Sequence, residues 1–153
     1  MTYLTWVVAM LLACLTSSAQ EVKTNSVAPD CTPGSVTQLS PKSQESVAKF
    51  LGALQLALNA TDKERVASLV HYPLKVGSVK GTYTVSSKSA FVKRYDEIIS
   101  PDIIRVVTSL RPECADIMSQ GFMFGQGTIW FNSFDRMGFR IITINPPIPR
   151  AGQ

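Results

Sequence analysis

The chain holds a single histidine, His71, and three cysteines, Cys14, Cys31 and Cys114, none of them spaced as C-x-x-C. That scarcity excludes a Cys/His zinc centre and a dithiol redox motif, and no metal or other cofactor is expected. Nucleotide-binding loops are missing as well. The glycine-rich stretch QGFMFGQGTIWFN, residues 120–132, spaces its glycines as G-x-x-x-G-x-G. A P-loop requires Lys-Ser/Thr after its last glycine, and a dinucleotide loop requires G-x-G-x-x-G opening a helix. Here the strand-forming Thr128-Ile129-Trp130-Phe131 follows instead, so the glycines are read as a tight hairpin turn. Acids are scarce late in the chain: between Ile117 and Asn145 the only one is Asp135.

Charge is also missing from the start. Residues 1–19, MTYLTWVVAMLLACLTSSA, carry no charged side chain, and an apolar run from Leu4 to Leu15 leads into Thr16-Ser17-Ser18-Ala19. This is the layout of a secretory signal peptide, with Ser17 and Ala19 suited to the small subsites before a cut at Gln20. The run is well short of the roughly 20 residues a spanning helix needs. A second reading takes Leu11-Leu12-Ala13-Cys14 as a lipoprotein signal, which would make Cys14 the lipidated first residue of an envelope protein; Leu12 fits that pattern poorly. Export to the periplasm or the medium is therefore expected. After cleavage Cys31 and Cys114 remain as an even pair, read as one disulfide, the alternative being that one of them is buried and free. A bridge closing so large a loop contributes roughly 3–5 kcal/mol.

With 153 residues, 45% hydrophobic and 17% charged, the chain can build one domain with a real core. The expected organisation is a signal peptide over 1–19, a Pro/Ser/Thr-rich segment over 20–42, a folded domain over 43–146 and a Pro-rich tail over 147–153. Ser40-Pro41 caps an amphipathic helix near 42–59 that presents Val47, Phe50, Leu51, Leu54 and Leu58 on one face. Thr61-Asp62-Lys63-Glu64 supplies a capping box for a second helix, which His71-Tyr72-Pro73 stops. Leu74 to Val85, broken by Gly77 and Gly81, suits a short pair of strands. Ser86 or Ser87 caps a third helix with Phe91, Tyr95 and Ile98 on one face. Ser100-Pro101 opens PDIIRVVTSL, whose β-branched content leaves helix or strand open and whose start favours a short helix. From Cys114 to Asn145 the pattern is a strand meander that the prolines at 146, 147 and 149 end. Phe122 and Phe124 alternate with Met123, and Ile129 and Phe131 with Thr128 and Trp130, so both hairpin faces are apolar. One face packs under helices; the other lines a pocket, meets a second copy in a homodimer, or lies under the N-terminal segment.

Helices, a small hairpin, a helix and a long meander follow the order of the nuclear-transport-factor-2-like superfamily, the cystatin-like α+β cone. The residues that carry the resemblance are His71-Tyr72-Pro73-Leu74, Ser87-x-x-x-Phe91-x-x-x-Tyr95-Asp96, Gln120-Gly121 through Gly127-x-Ile129-Trp130-Phe131, and Ile141-Ile-x-Ile144-Asn145. Spanning roughly residues 44–145, it is most similar to small secreted bacterial members without an assigned function. The resemblance implies an α+β domain with N-terminal helices packed on a curved antiparallel sheet, which hosts enzymes and binding modules alike.

Enzymes of that superfamily need a carboxylate base and acidic or phenolic donors inside the cone, and this sequence departs from the pattern. An enzyme reading rests on His71 and Asp96, with Tyr72 and Tyr95, converging at the cone mouth for acid–base work. The competing arrangement buries the rings of Tyr72 and Tyr95, caps a helix end with His71, and leaves Asp96 solvated or paired with Arg94 or Lys93. The favoured reading is a non-catalytic binding or protein-interaction module. Its contacts would be Tyr72, Tyr95, Trp130, Phe122 and Phe124, with Trp130 buried, and its partner a small apolar ligand or a protein. Lys75, Lys80, Lys88, Lys93 and Arg94, with no acid among them over 74–95, suit an anionic partner such as an acidic protein or the envelope surface. Nucleic acid is not expected, because no aromatic and basic residues interleave on a sheet face.

Overall fold

The computed structural model describes residues 31–148, so the expected signal peptide, Cys14, the rest of the segment up to residue 30 and the last five residues lie outside the described residues. Cap chemistry places the first long helix, α1 (Pro41–Asn59): Ser40 accepts from the Ser43 N–H, and Val47, Phe50, Leu51 and Leu54 turn inward. Helix α2 (Lys63–Ser68) follows, but the expected capping box is displaced by one residue. The Asp62 side chain, not Thr61, accepts from Arg65 N. The end of α1 explains the shift: Thr61 N–H bonds to Leu58 O and Asp62 N–H to Ala57 O. These are the two bonds of a Schellman closure, which forces Thr61 to φ 51 and removes it from the cap position.

Strand β1 (Val70–Ser78) then begins before Pro73 rather than after it, so His71-Tyr72-Pro73 belongs to a strand and does not stop the helix. It turns through Val79-Lys80 into β2 (Gly81–Val85). The third helix is two short pieces, α3 (Lys88–Lys93) and α4 (Tyr95–Ile98), which break at Arg94; its predicted inward residues Phe91, Tyr95 and Ile98 are buried. PDIIRVVTSL is a helix, α5 (Pro101–Ser109), capped by Ser100. A meander completes the chain: β3 (Asp116–Met118), β4 (Gly121–Phe124), β5 (Ile129–Phe134) and β6 (Gly138–Ile144). Between β4 and β5, Gly125, Gln126 and Gly127 all take positive φ, the conformation of a tight turn.

The result is an α+β domain with one six-stranded sheet in the order β2-β1-β6-β5-β4-β3. The sheet is not wholly antiparallel, because β1 reaches β6 through the whole intervening chain and pairs with it in parallel. Their register slips between Val70 and Lys75, and Pro73, which has no N–H to donate, falls inside that break.

Helix α1 packs on the sheet through Phe50, whose ring stacks on Phe131 at 4.9 Å. Phe131 also stacks with Phe122 at 5.3 Å and Phe124 at 4.8 Å. Gln55 ties α1 to the end of α5 by donating to Val107 O and Leu110 O at 3.0 and 2.9 Å, the first of which also accepts from Leu110 N–H. Trp130, expected to be buried, is only half-buried; pairing opposite Met123 and Thr143, it faces away from the side that buries Ile129 and Phe131.

Cys31 and Cys114 are joined across a sequence separation of 83, with their Cα atoms 5.7 Å apart. Beside the bridge the chain lies along the outer edge of β3 like a strap. Gly34 N–H donates to Glu113 O at 2.6 Å and Val36 N–H to Ala115 O at 3.1 Å. Ser35 N–H donates to Asp116 Oδ1, and Ile117 N–H to Ser35 Oγ at 2.7 Å. Only glycine fits at position 34, since a Cβ there would run into the Ala115 carbonyl. Val36 is buried in the core beyond it. Among the described residues, no helix is long and apolar enough to cross a membrane.

Candidate functional site

At the opposite edge the β1–β2 hairpin, α4, the start of α5 and the end of β6 enclose a cavity of about 730 Å³. Its floor is apolar core seen from outside: Val76, Ile98, Ile103 and Ile144 are nearly inaccessible yet line the space. The hairpin forms one wall, and its tip is fixed locally. Ser78 Oγ donates to Gly81 O at 2.8 Å and accepts from Lys80 N–H, and Gly81 stands at φ +119, where an L side chain would be strained. The end of β6 closes another side. Asn145 Nδ2 donates to Gly127 O at 2.8 Å, and its Oδ1 lies so close to Gly77 that a Cβ there would collide with it.

The wall opposite the hairpin carries an ion pair. Arg94 grips Glu97 with a fork, Nε to Oε2 at 2.9 Å and Nη2 to Oε1 at 2.6 Å. The guanidinium lies over the Tyr83 ring, 4.3 Å from its centre. Hydrogen bonding to Arg94 holds the Glu97 carboxyl below its ordinary range, and the same bond keeps Arg94 charged. Burial, outweighing the neighbouring Arg94 charge, raises the Tyr83 phenol. A carboxylate so held is a poor base, and a phenol so raised is a poor nucleophile at neutral pH.

The sequence-predicted residues gather elsewhere. His71 stacks face to face on Phe134 with ring centres 4.2 Å apart, and does not cap a helix. Asp96 accepts from Lys63 Nζ at 2.6 Å, not from Arg94 or Lys93. The two thus have separate partners, and neither lines the cavity. Tyr72 donates its hydroxyl to Ala67 O at 3.0 Å, and desolvation, with the Glu64 charge second, pushes its pKa up to about 12. Tyr95 is core: its ring packs edge-on to Phe91, burial raises its pKa, and its hydroxyl has no partner among the described residues. Phe124 is fully buried and Phe122 half-buried in the aromatic cluster, and Trp130 lies on the other face. None of these five lines the cavity.

The basic run is partly neutralised, with Lys88 on Glu64 at 2.9 Å and Arg94 on Glu97. Lys75, Lys80 and Lys93 have no ion-pair partner among the described residues. A second cavity of about 280 Å³ lies beside the disulfide, lined by Cys31, Cys114, Leu110 and Gly125; its one ionisable lining residue, Asp116, is engaged by the strap. Sequence reasoning missed Tyr83, Glu97 and Ser100. The Arg94-x-x-Glu97 spacing on a helix was the legible sign of the fork. Among the described residues, no group of three or more His, Cys, Asp or Glu side chains could hold a metal ion. Compared with known proteins, the chain matches no family model, no curated protein and no solved structure.

Proposed function

We propose that the protein is an exported, non-catalytic binding module of nuclear-transport-factor-2-like architecture, and that its ligand site is the cavity between the β1–β2 hairpin and α4. The observation that carries this reading is the lining itself. A space of about 730 Å³, within the usual range for small-molecule sites, has an apolar floor and a few polar groups at its rim. Its one carboxylate is locked to Arg94, and the acid–base candidates His71 and Asp96 stand off its walls. The order of helices, hairpin, helices and meander supports the superfamily reading. Export is supported by the Cys31–Cys114 bridge, a bond that oxidising compartments preserve.

A neutral apolar fluorophore such as 1-aminoanthracene tests the site. Saturable binding at one site is expected, weakened by Thr82→Trp, which places a large side chain on the cavity wall of an exposed strand position, and untouched by Trp130→Ala. Binding that survives Thr82→Trp and disappears with Trp130→Ala would place the site on the outer sheet face and contradict the proposal. The non-catalytic part fails if an activity is found that His71→Ala or Asp96→Asn abolishes without lowering the melting temperature.

A further inference from the structure

The charged groups on the lining of this cavity do not balance. Both Glu97 oxygens accept from the Arg94 fork, so the carboxylate's charge is already paired. Arg94 is only partly spent, because Nε and one Nη2 hydrogen serve the fork while the Nη1 hydrogens are uncommitted among the described residues. Ser100 Oγ accepts from Ile103 N–H, which leaves the hydroxyl proton free to donate outward. Lys80 presents an ammonium with no ion-pair partner among the described residues, and Lys80 also lines the cavity. With Arg94 and Glu97 cancelling, the charge left uncompensated on this lining is the positive charge of Lys80. The apolar part of the lining includes Val76, Ile98, Ile103 and Ile144.

Resting on the reading of this cavity as the ligand site, we infer that the ligand is a free amphipathic anion: an apolar body on the isoleucine floor and a carboxylate-type headgroup at the hairpin tip. An anionic headgroup meets the unpaired Lys80 ammonium, whereas a cationic one would find the lining's single carboxylate already paired with Arg94. The Tyr83–Arg94 stack keeps the guanidinium in place before the ligand arrives, so the headgroup does not have to order it. A concave space of about 730 Å³ suits a single short-chain amphiphile rather than the surface of a bilayer.

Isothermal titration of the disulfide-bonded protein with decanoate, decanol and decyltrimethylammonium separates the possibilities, because the three share a tail and differ in charge. Decanoate is expected to bind about fivefold tighter than decanol, the scale of one partly solvated charge pair. That advantage should vanish in Lys80→Gln while decanol affinity stays the same, and should shrink as salt rises from about 0.05 to 0.5 M. Equal affinities for decanoate and decanol, or tightest binding of decyltrimethylammonium, would overturn the anionic ligand and leave the cavity reading standing. If none of the three binds, the cavity reading itself fails and the inference with it. Binding to phosphatidylcholine vesicles only when they contain phosphatidylglycerol, without binding of monomeric decanoate, would overturn the free amphiphile in favour of a membrane surface.

Discussion

The two edges of the sheet are finished in opposite ways. At β3 a strap makes four hydrogen bonds, two to the strand and two to Glu113 and Ala115 just before it, carries its own disulfide and buries Val36, so this edge is covered. At β2 no backbone hydrogen bond joins another segment to the strand's outer side among the described residues, Thr82 and Thr84 are exposed, and a cavity opens beside them. Closure by covalent and backbone bonds is what stability needs, and an edge left open next to a hollow with an apolar floor is what the proposed binding needs. The comparison predicts that damage at the β3 edge reads out as lost stability, and damage at the β2 edge as lost affinity.

The largest effect is expected from Cys31→Ser with Cys114→Ser. Removing the bridge should cost about 3–5 kcal/mol in chemical denaturation and speed hydrogen exchange at the Ile117 amide, which the strap covers. A pair of glycine substitutions sharpens the contrast. Gly34→Ala drives a Cβ into the rigid Ala115 carbonyl and should lose about 1–3 kcal/mol. Gly77→Ala meets the Asn145 side chain, which can rotate, so its stability loss should be smaller and its effect on ligand affinity larger. Equal stability losses in the two variants would erase the proposed division of labour.

A pH effect comes next. The Tyr72 pKa is raised from its ordinary value to about 12, chiefly by burial, so the folded state favours the protonated phenol. That contribution is fully present below pH 10 and is lost as pH rises toward 12. Melting temperatures followed across this window should fall, and Tyr72→Phe should flatten the fall after an initial loss from the missing bond to Ala67 O. The smallest effect belongs to the hairpin tip. Val79 is 99% exposed, and Val79→Ser should change stability by no more than about 0.5 kcal/mol in the same denaturation assay.

Much of the fold was legible because its signals are local. Ser40-Pro41, Ser87 and Ser100-Pro101 carry caps within one turn of the helices they start, and all three caps are made. The end of α1 was misread because a β-branched residue, Thr61, takes the left-handed position where glycine is the usual sign. The β1–β6 pairing was illegible for a different reason: no local pattern records that two segments about 70 residues apart run parallel. The site suffered most from this. The large aromatics singled out as contacts, Tyr95 and Phe124 above all, went into the core, which is where large apolar area is most stable. The cavity wall instead collects small and charged residues from the hairpin, α4 and the end of β6, neighbours only because of the long crossover.

Residue-resolved NMR tests the central claim most directly. In a ¹H–¹⁵N titration of the disulfide-bonded protein with decanoate, amide shifts should concentrate at Val76–Thr84, Arg94–Ser100 and Ile144–Asn145 and leave Gly34–Val36 and Ile117 unmoved. Shifts centred on the strap, β3 or Trp130, with the hairpin silent, would contradict it.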